Sequence, residues 1–257
     1  MYGAYSKGFK APASSYFFIP QTGQVNLGLN PEEGDQFEVG TKGSFLNNKL
    51  SYQLALFDAV FSDKMTTVPV TSGTTTLYTY VVNGGKQDDK GLEASLKYNA
   101  WQSNNAFITS ISPFANFTYS DFEYEDFTFH KIVSNKDTIY NYSNMMVAGI
   151  AKYMFNAGFD LLTRAGLYAN AYYSYKDPVY INSENTLKTE SYSLLNAKLG
   201  YRQSFGKHFD LDAYFGINNI TEEKYYLMVF INQIPDAYLP AAKHAVYYGG
   251  LNVKYNF

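Results

Sequence analysis

Four carboxylates, Asp58, Asp63, Asp88 and Asp89, flank one stretch of this 257-residue chain. Grouped oxygens of that kind are what Ca²⁺ takes. Their spacing fits no calcium-loop pattern, and a solvated loop face is the plainer reading. The histidines His130, His208 and His244 are far apart in sequence. A metal centre needs convergent ligands, so they read as ordinary polar positions. Ser, His and Asp all occur, but a nucleophilic triad is recognised by geometry, and no Gly-x-Ser-x-Gly run is present. The chain has no Cys, which excludes disulfides and thiolate metal sites. The residues left with a binding chemistry are aromatic: Tyr16, Phe17 and Phe18; Tyr78 and Tyr80; and Tyr225, Tyr226, Phe230 and Tyr238. Rings of this kind stack on a ligand at low cost in side-chain entropy. They are the candidate ligand-binding residues, with packing of loop on loop as the alternative. No catalytic residue, metal site or cofactor is assigned.

The elements that must position these rings follow from period-two alternation, which marks strands. It is seen over Met1–Ser6, Gly34–Leu46, Lys49–Ser62, Lys90–Trp101, Ala106–Phe122, Tyr142–Phe155, Gly158–Ser174, Lys188–Phe205, Lys207–Asn219 and Lys243–Phe257. Many of these exceed the five or six residues usual in a soluble strand and suit a tilted membrane strand of about nine to eleven. Tight turns are expected at Asn47-Asn48, Gln102–Asn105, Asn156-Ala157 and Gly206. Long linkers alternate with them: Lys7–Glu33, Asp63–Asp89, Glu123–Asn141, Tyr175–Leu187 and Ile220–Ala242. Short turns on one side and long loops on the other mark an up-and-down outer-membrane barrel.

The two faces agree with that reading. Phe209, Leu211, Ala213, Phe215 and Ile217 are expected outward, and His208, Asp210, Asp212, Tyr214 and Asn218 inward. Leu92, Ala94, Leu96 and Tyr98 oppose Gly91, Glu93, Ser95, Lys97 and Asn99. In Gly158–Ser174, Phe159, Leu161, Ala165, Leu167, Ala169 and Tyr173 are placed outward, against Asp160, Arg164, Tyr168, Asn170 and Ser174. Inward charges imply a wet or paired interior. Aromatics make up 18% of the chain, with 26 Tyr against one Trp, which suits interface girdles; Trp101 is assigned to the periplasmic one. No apolar run reaches a membrane helix. The net charge of −3 without a basic cluster leaves no footprint for nucleic acid.

Several stretches resemble the C-terminal barrel half of TonB-dependent outer-membrane receptors. They are Tyr5-Ser6-Lys7-Gly8-Phe9-Lys10-Ala11-Pro12; Asn30-Pro31-Glu32 with Phe37–Lys42; Gly91-Leu92-Glu93; Tyr192–Tyr201; Asn218–Tyr225; and Tyr247-Tyr248-Gly249-Gly250 through the terminal Phe257. Where the family often carries Gly-Arg or Pro-Arg before the last strand, this chain has Lys243-His244-Ala245-Val246. The resemblance implies an all-β, antiparallel up-and-down transmembrane β-barrel. Its ten or so strands would form the C-terminal arc of a barrel of about 22, with residues 1–257 as one barrel domain. It also implies a Gram-negative outer-membrane location and a non-enzymatic role in TonB-energised uptake. The ligand would be a scarce nutrient such as a ferric siderophore. Partners would be outer-membrane lipid, the small-molecule ligand and, through a plug domain not seen in this sequence, the TonB complex. Met1–Ser6 reads as a strand already under way, without a secretory leader, so the chain is expected to be part of a longer one. Two alternatives stand beside this: a complete small outer-membrane barrel hydrolase, and a soluble all-β binding protein. In the latter, Leu50, Tyr52, Leu54 and Leu56 would face a second sheet.

Overall fold

The computed structural model describes residues 1–72, 75–133, 136–232, 238–241 and 244–256. Ten strands form one antiparallel sheet in strict chain order: β1 (Tyr2–Lys10), β2 (Glu32–Phe45), β3 (Leu50–Ser62), β4 (Lys86–Tyr98), β5 (Ile108–Asp126), β6 (Tyr153–Thr163), β7 (Leu167–Lys176), β8 (Tyr192–Phe205), β9 (Phe209–Asn218) and β10 (Val246–Tyr255). Each pairs only with its chain neighbours, save that the two-residue strand Trp101–Gln102 adds to β5. β1 and β10 are the two ends of the sheet. The expected Lys243 and Phe257 lie outside the described residues.

Short turns and long loops segregate as expected. The Asn47-Asn48 turn has both residues at positive φ, 55° and 65°, with Lys49 N donating to Leu46 O. That is the primed geometry that matches strand twist. Between the short turns lie the long connections 11–31, 63–85, 127–152, 177–191 and 219–245.

One pair of boundaries is corrected. The expected turn at Asn156-Ala157 is the middle of β6, where both residues pair on both sides. The chain reverses instead over Arg164, Ala165 and Gly166, so Arg164 and Ala165 belong to neither face. Gly166 sits at φ 87°, and its N–H donates to Thr163 O. A three-residue loop closing on a left-handed glycine is a regular hairpin connection. Residues 142–152, expected as strand, belong to the preceding loop.

Register carries an apolar row across one face. Val39, Leu56, Leu92, Tyr119 and Tyr153 stand side by side, as do Leu54, Ala94, Phe117 and Phe155. At the other end of the sheet Leu199, Phe215 and Gly249 align, as do Ala213 and Leu251. These side chains are uncovered: Leu56 is 53% exposed, Leu199 64% and Leu251 66%. A sandwich would bury this face beneath a second sheet; the four small two-stranded sheets beside the main one are hairpins within the long connections. The soluble reading therefore fails for Leu50, Tyr52, Leu54 and Leu56.

The apolar row ends abruptly on the long-loop side. On the same outward face the next positions are Asp58, Lys90 and Asp121, side by side, and Lys152, just before β6, reaches Asp121 Oδ1 with its Nζ at 2.9 Å. Charge is tolerated at the edge of a bilayer and costly within it, so this line marks the upper limit of the hydrocarbon band. Trp101 marks the lower side beside the short turns. It pairs with Ile111, is 49% exposed, and its Nε1 donates to Ile108 O at 2.9 Å.

The opposite face is polar. Lys97 pairs with Asp160 at 2.9 Å, and Asn170 Nδ2 donates to the same carboxylate at 2.8 Å. Arg202 reaches Asp212 at 2.7 Å through Nη2 and at 3.1 Å through Nε, and Tyr168 Oη donates to that carboxylate at 2.8 Å. Seven glycines of this wall, Gly34, Gly40, Gly91, Gly158, Gly200, Gly216 and Gly250, each sit directly opposite an aromatic side chain that lies over them. A side chain at any of them would overlap that ring.

Candidate functional site: the loop cluster and its ring-lined recess

The long connections fold on one another. Hairpin Met65–Ser72/Thr75–Asn83 and loop 127–152 share an apolar centre of Val68, Tyr124, Phe127 and Tyr142, each under 6% exposed, with Tyr80, Val82, Tyr140, Met145 and Val147 packed around it. Phe127 meets Tyr124 at 4.7 Å and Tyr142 at 5.3 Å between ring centroids. Burial and the Glu184 carboxylate, which accepts the Tyr142 hydroxyl, hold that phenol well above its ordinary pKa. Tyr142 thus stays a neutral donor linking loop 127–152 to loop 177–191.

Asparagines complete the lacing. Asn232, 3% exposed, donates to Thr67 O at 2.6 Å and to Ser183 Oγ at 3.1 Å, and accepts from Ser183 N at 2.9 Å. Asn185 exchanges two hydrogen bonds with the Met146 backbone. Three connections are thereby tied to the last one. Buried amides earn such positions because each offers both donors and an acceptor.

A recess of about 420 Å³ opens where the last loop meets β8. It is lined by Lys188, Thr189, Glu190, Tyr192, Lys224, Tyr225, Tyr226, Pro240 and Ala241. Tyr192 stands opposite Lys176, and both share strand parity with the inward Asn196, Lys198, Asn170 and Tyr172, so the recess lies on the polar side of the wall. Tyr192 meets Tyr226 edge-on at 5.3 Å and Tyr225 at 5.4 Å. Lys176 Nζ lies 5.1 Å from the Tyr226 ring centre, and Lys188 Nζ lies 4.2 Å from that of Tyr180. Thr189 Oγ1 donates to Tyr226 Oη at 3.3 Å, fixing the ring's rim. Burial raises the Tyr226 phenol.

The candidate rings part company here. Tyr226, 7% exposed, and its neighbour Tyr225 are in the recess. Tyr80 belongs to the loop core, and Tyr78 stands opposite Val70 on the same hairpin. Tyr16 and Phe17 form the short 3₁₀ turn Ser14–Phe17, and Phe18 is 52% exposed beyond it. That first loop is tied to the 65–83 hairpin, through Asn26 Nδ2 donating to Val81 O and Asn83 accepting from Asn30 N. Phe230 is half-buried. The Tyr238 backbone pairs with Val229, and its side chain lies outside the described residues, as does that of His130. Sequence reasoning missed Lys176, Lys188 and Tyr192. For Lys176 and Tyr192 the available signal was parity, since both carry the even numbers of the inward face; Lys188 lies in the connection between their strands, where parity gives no signal.

The other chemistries do not assemble. Asp58 and Asp88 face outward and Asp89 inward, so they do not converge. His208 lies at a short turn, its Nδ1 2.9 Å from Asn256 O, while His244 sits at the long-loop end, 3.6 Å from Glu222.

Comparison with known proteins agrees with this architecture. The family model described as "TonB dependent receptor-like, beta-barrel" matches residues 1–220. The siderophore receptor PiuA from Acinetobacter baumannii superposes with a TM-score of 0.69 at 20% identity, over 99% of this chain and 33% of that one. The ferric yersiniabactin uptake receptor FyuA from Yersinia pestis gives 0.61 at 18% identity, over 99% and 34%. The copper transporter OprC gives 0.68 at 13% identity, over 99% and 37%. This chain spans about a third of the length of each. An apolar outer face bounded by charge, a polar inner wall and long loops gathered at one end are what such a barrel requires, and the chain belongs to the TonB dependent receptor-like β-barrel family.

Proposed function

We propose that this chain forms wall and outer loops of a Gram-negative outer-membrane receptor that imports a ferric siderophore or another iron complex, energised through TonB. In this reading the remaining strands complete a barrel of about 22, and a plug domain within it couples to TonB. This chain supplies the lipid-facing surface, the lumen wall and the loops that meet the ligand, and performs no covalent chemistry.

The observation that carries the reading is the mouth. Four connections are laced into one body, and that body holds a ring-and-lysine recess on the lumen side rather than on the lipid side. Largely preformed concave sites lined by rings with a few charged groups are what small ligands occupy. PiuA and FyuA, named for siderophore uptake, share the fold and support an iron complex; OprC shares it too, so the ligand is argued from the site.

Radioiron uptake by iron-starved cells carrying the intact receptor tests this. Uptake of a ferric siderophore should require both the receptor and functional TonB. Uptake that persists without TonB, or no receptor-dependent uptake from any iron complex, overturns it.

A further inference from the structure

Two buried carboxylates, Glu32 and Asp89, lie on the inner wall at the root of the hairpin Met65–Ser72/Thr75–Asn83. Glu32 is fully engaged. Its Oε1 accepts from Lys64 Nζ at 2.8 Å and its Oε2 from Met65 N at 3.2 Å. It thereby pins the point where the hairpin leaves the wall, at which Lys64 N donates to Gly85 O and Gly84 N to Lys64 O.

Asp89 is not served in the same way. It is 7% exposed, and both its oxygens accept from one neutral donor, Gln87 Nε2, at 2.8 and 2.9 Å. Among the described residues it has no ion pair. The charged and titratable groups that face it are Lys64 from the connection after β3, Glu32 from β2, Asp88 beside it on β4 and Tyr124 from β5. One ammonium thus stands near two buried carboxylates, and Glu32 holds it. The hairpin roofs this part of the wall: Gln87 stands opposite Tyr124, whose hydroxyl meets Thr66 of the hairpin and Ser183 of the next loop.

Burial with so few donors disfavours a carboxylate relative to its neutral acid. Asp89 lies on the loop side of the Lys90 line that bounds the hydrocarbon band, and burial pushes its carboxyl up to about 6. Lifting the hairpin would return that carboxyl to water and to an ordinary value of about 4. The seated hairpin therefore binds the proton more tightly than the lifted one, so seating strengthens as pH falls through the higher value.

We propose that Asp89 is a proton latch for the mouth: its neutral form seats the Met65–Asn83 hairpin on the wall, and its carboxylate loosens it. The loops then tighten in mildly acid surroundings and relax at neutral pH and above. The latch concerns the hairpin's own equilibrium and holds for any imported ligand.

Hydrogen exchange of the intact receptor in detergent tests this, read by mass spectrometry over residues 65–83 and corrected for the pH dependence of the intrinsic rate. Protection of the hairpin should be about tenfold higher at pH 5 than at pH 8, while residues 196–204 of β8 show no such rise. Asp89→Asn, a neutral isostere of the protonated acid, should keep the hairpin at the acid level of protection across this range. Gln87→Met removes the one donor to the carboxylate and should move the rise to higher pH; it serves if Asp89→Asn does not fold. Protection that is constant or falls in acid, a pH response kept in Asp89→Asn, or an unmoved rise in Gln87→Met overturns the proposal.

Discussion

Gly200 on β8 faces Tyr168 on β7, and the Tyr168 ring lies where a Cβ at 200 would be. The ring is held there by its hydroxyl, which donates to Asp212, and by the guanidinium of Arg202, 5.3 Å from its centre. Gly200→Ala must therefore lift the ring and break the Tyr168–Asp212 hydrogen bond together. Overpacking of this kind costs about 1–3 kcal/mol, and a hydrogen bond to a charged group about 1.5–3. The expected outcome is a receptor that loses its heat-resistant folded band on electrophoresis at lower urea. Gly28→Ala, where no atom lies within 4 Å of the added carbon, should behave as wild type. Equal behaviour of the two variants would show that the ring is not braced. Nothing in the local sequence around Gly200 announces this contact, because the residue it accommodates is 32 positions away.

At the scale of the strand, one face decides cost. On β3, Leu50, Tyr52, Leu54 and Leu56 face outward, and Asp58 takes the next outward place. Leu54→Arg would set a charge in the hydrocarbon band, at about 2–4 kcal/mol near the midplane. Asp58→Arg, two positions beyond the apolar run, should cost under about 1 kcal/mol. The two variants, compared by urea denaturation of the receptor in bilayers, should separate clearly; equal stabilities would place Leu54 outside the lipid. This alternation is the part of the fold most legible in the sequence, since period two survives any solvent exposure. The hairpin between β6 and β7 shows where legibility ends. Asn156-Ala157 has turn-forming composition, yet it lies within a strand, and Gly166 marks the true reversal. The faces were still assigned correctly around the error: a three-residue loop keeps odd positions opposite odd ones, as in Leu161 opposite Ala169.

Across the whole molecule, the long connections act as one body. Asn232 reaches Thr67, 165 residues earlier, and Ser183, 49 residues earlier. Asn232→Ala leaves the Thr67 carbonyl and the Ser183 amide without that partner, at about 1–3 kcal/mol for each buried group left unsatisfied. Brief protease treatment of intact cells should then cut within residues 63–85 or 177–191 faster than in the wild type, with iron uptake reduced. Unchanged cleavage would show that the loops hold together without this amide. These ties explain why the candidate site was half legible. Tyr225 and Tyr226 stood out as rings in a loop, but their partners Lys176 and Tyr192 come from the ends of β7 and β8 and Lys188 from another connection, and only the folded chain brings them together. Tyr80 was equally conspicuous, and it packs against the apolar centre that its hairpin shares with loop 127–152.

The seven ring-over-glycine pairs also set how far the large residues of the polar face project from the wall. A phenyl or phenol laid flat on a bare backbone adds to the thickness of the partition rather than to what projects from it. Large residues can thus brace the sheet without standing out from its polar face. Methyl groups at those seven places would push the rings off the wall and into the space on its polar side.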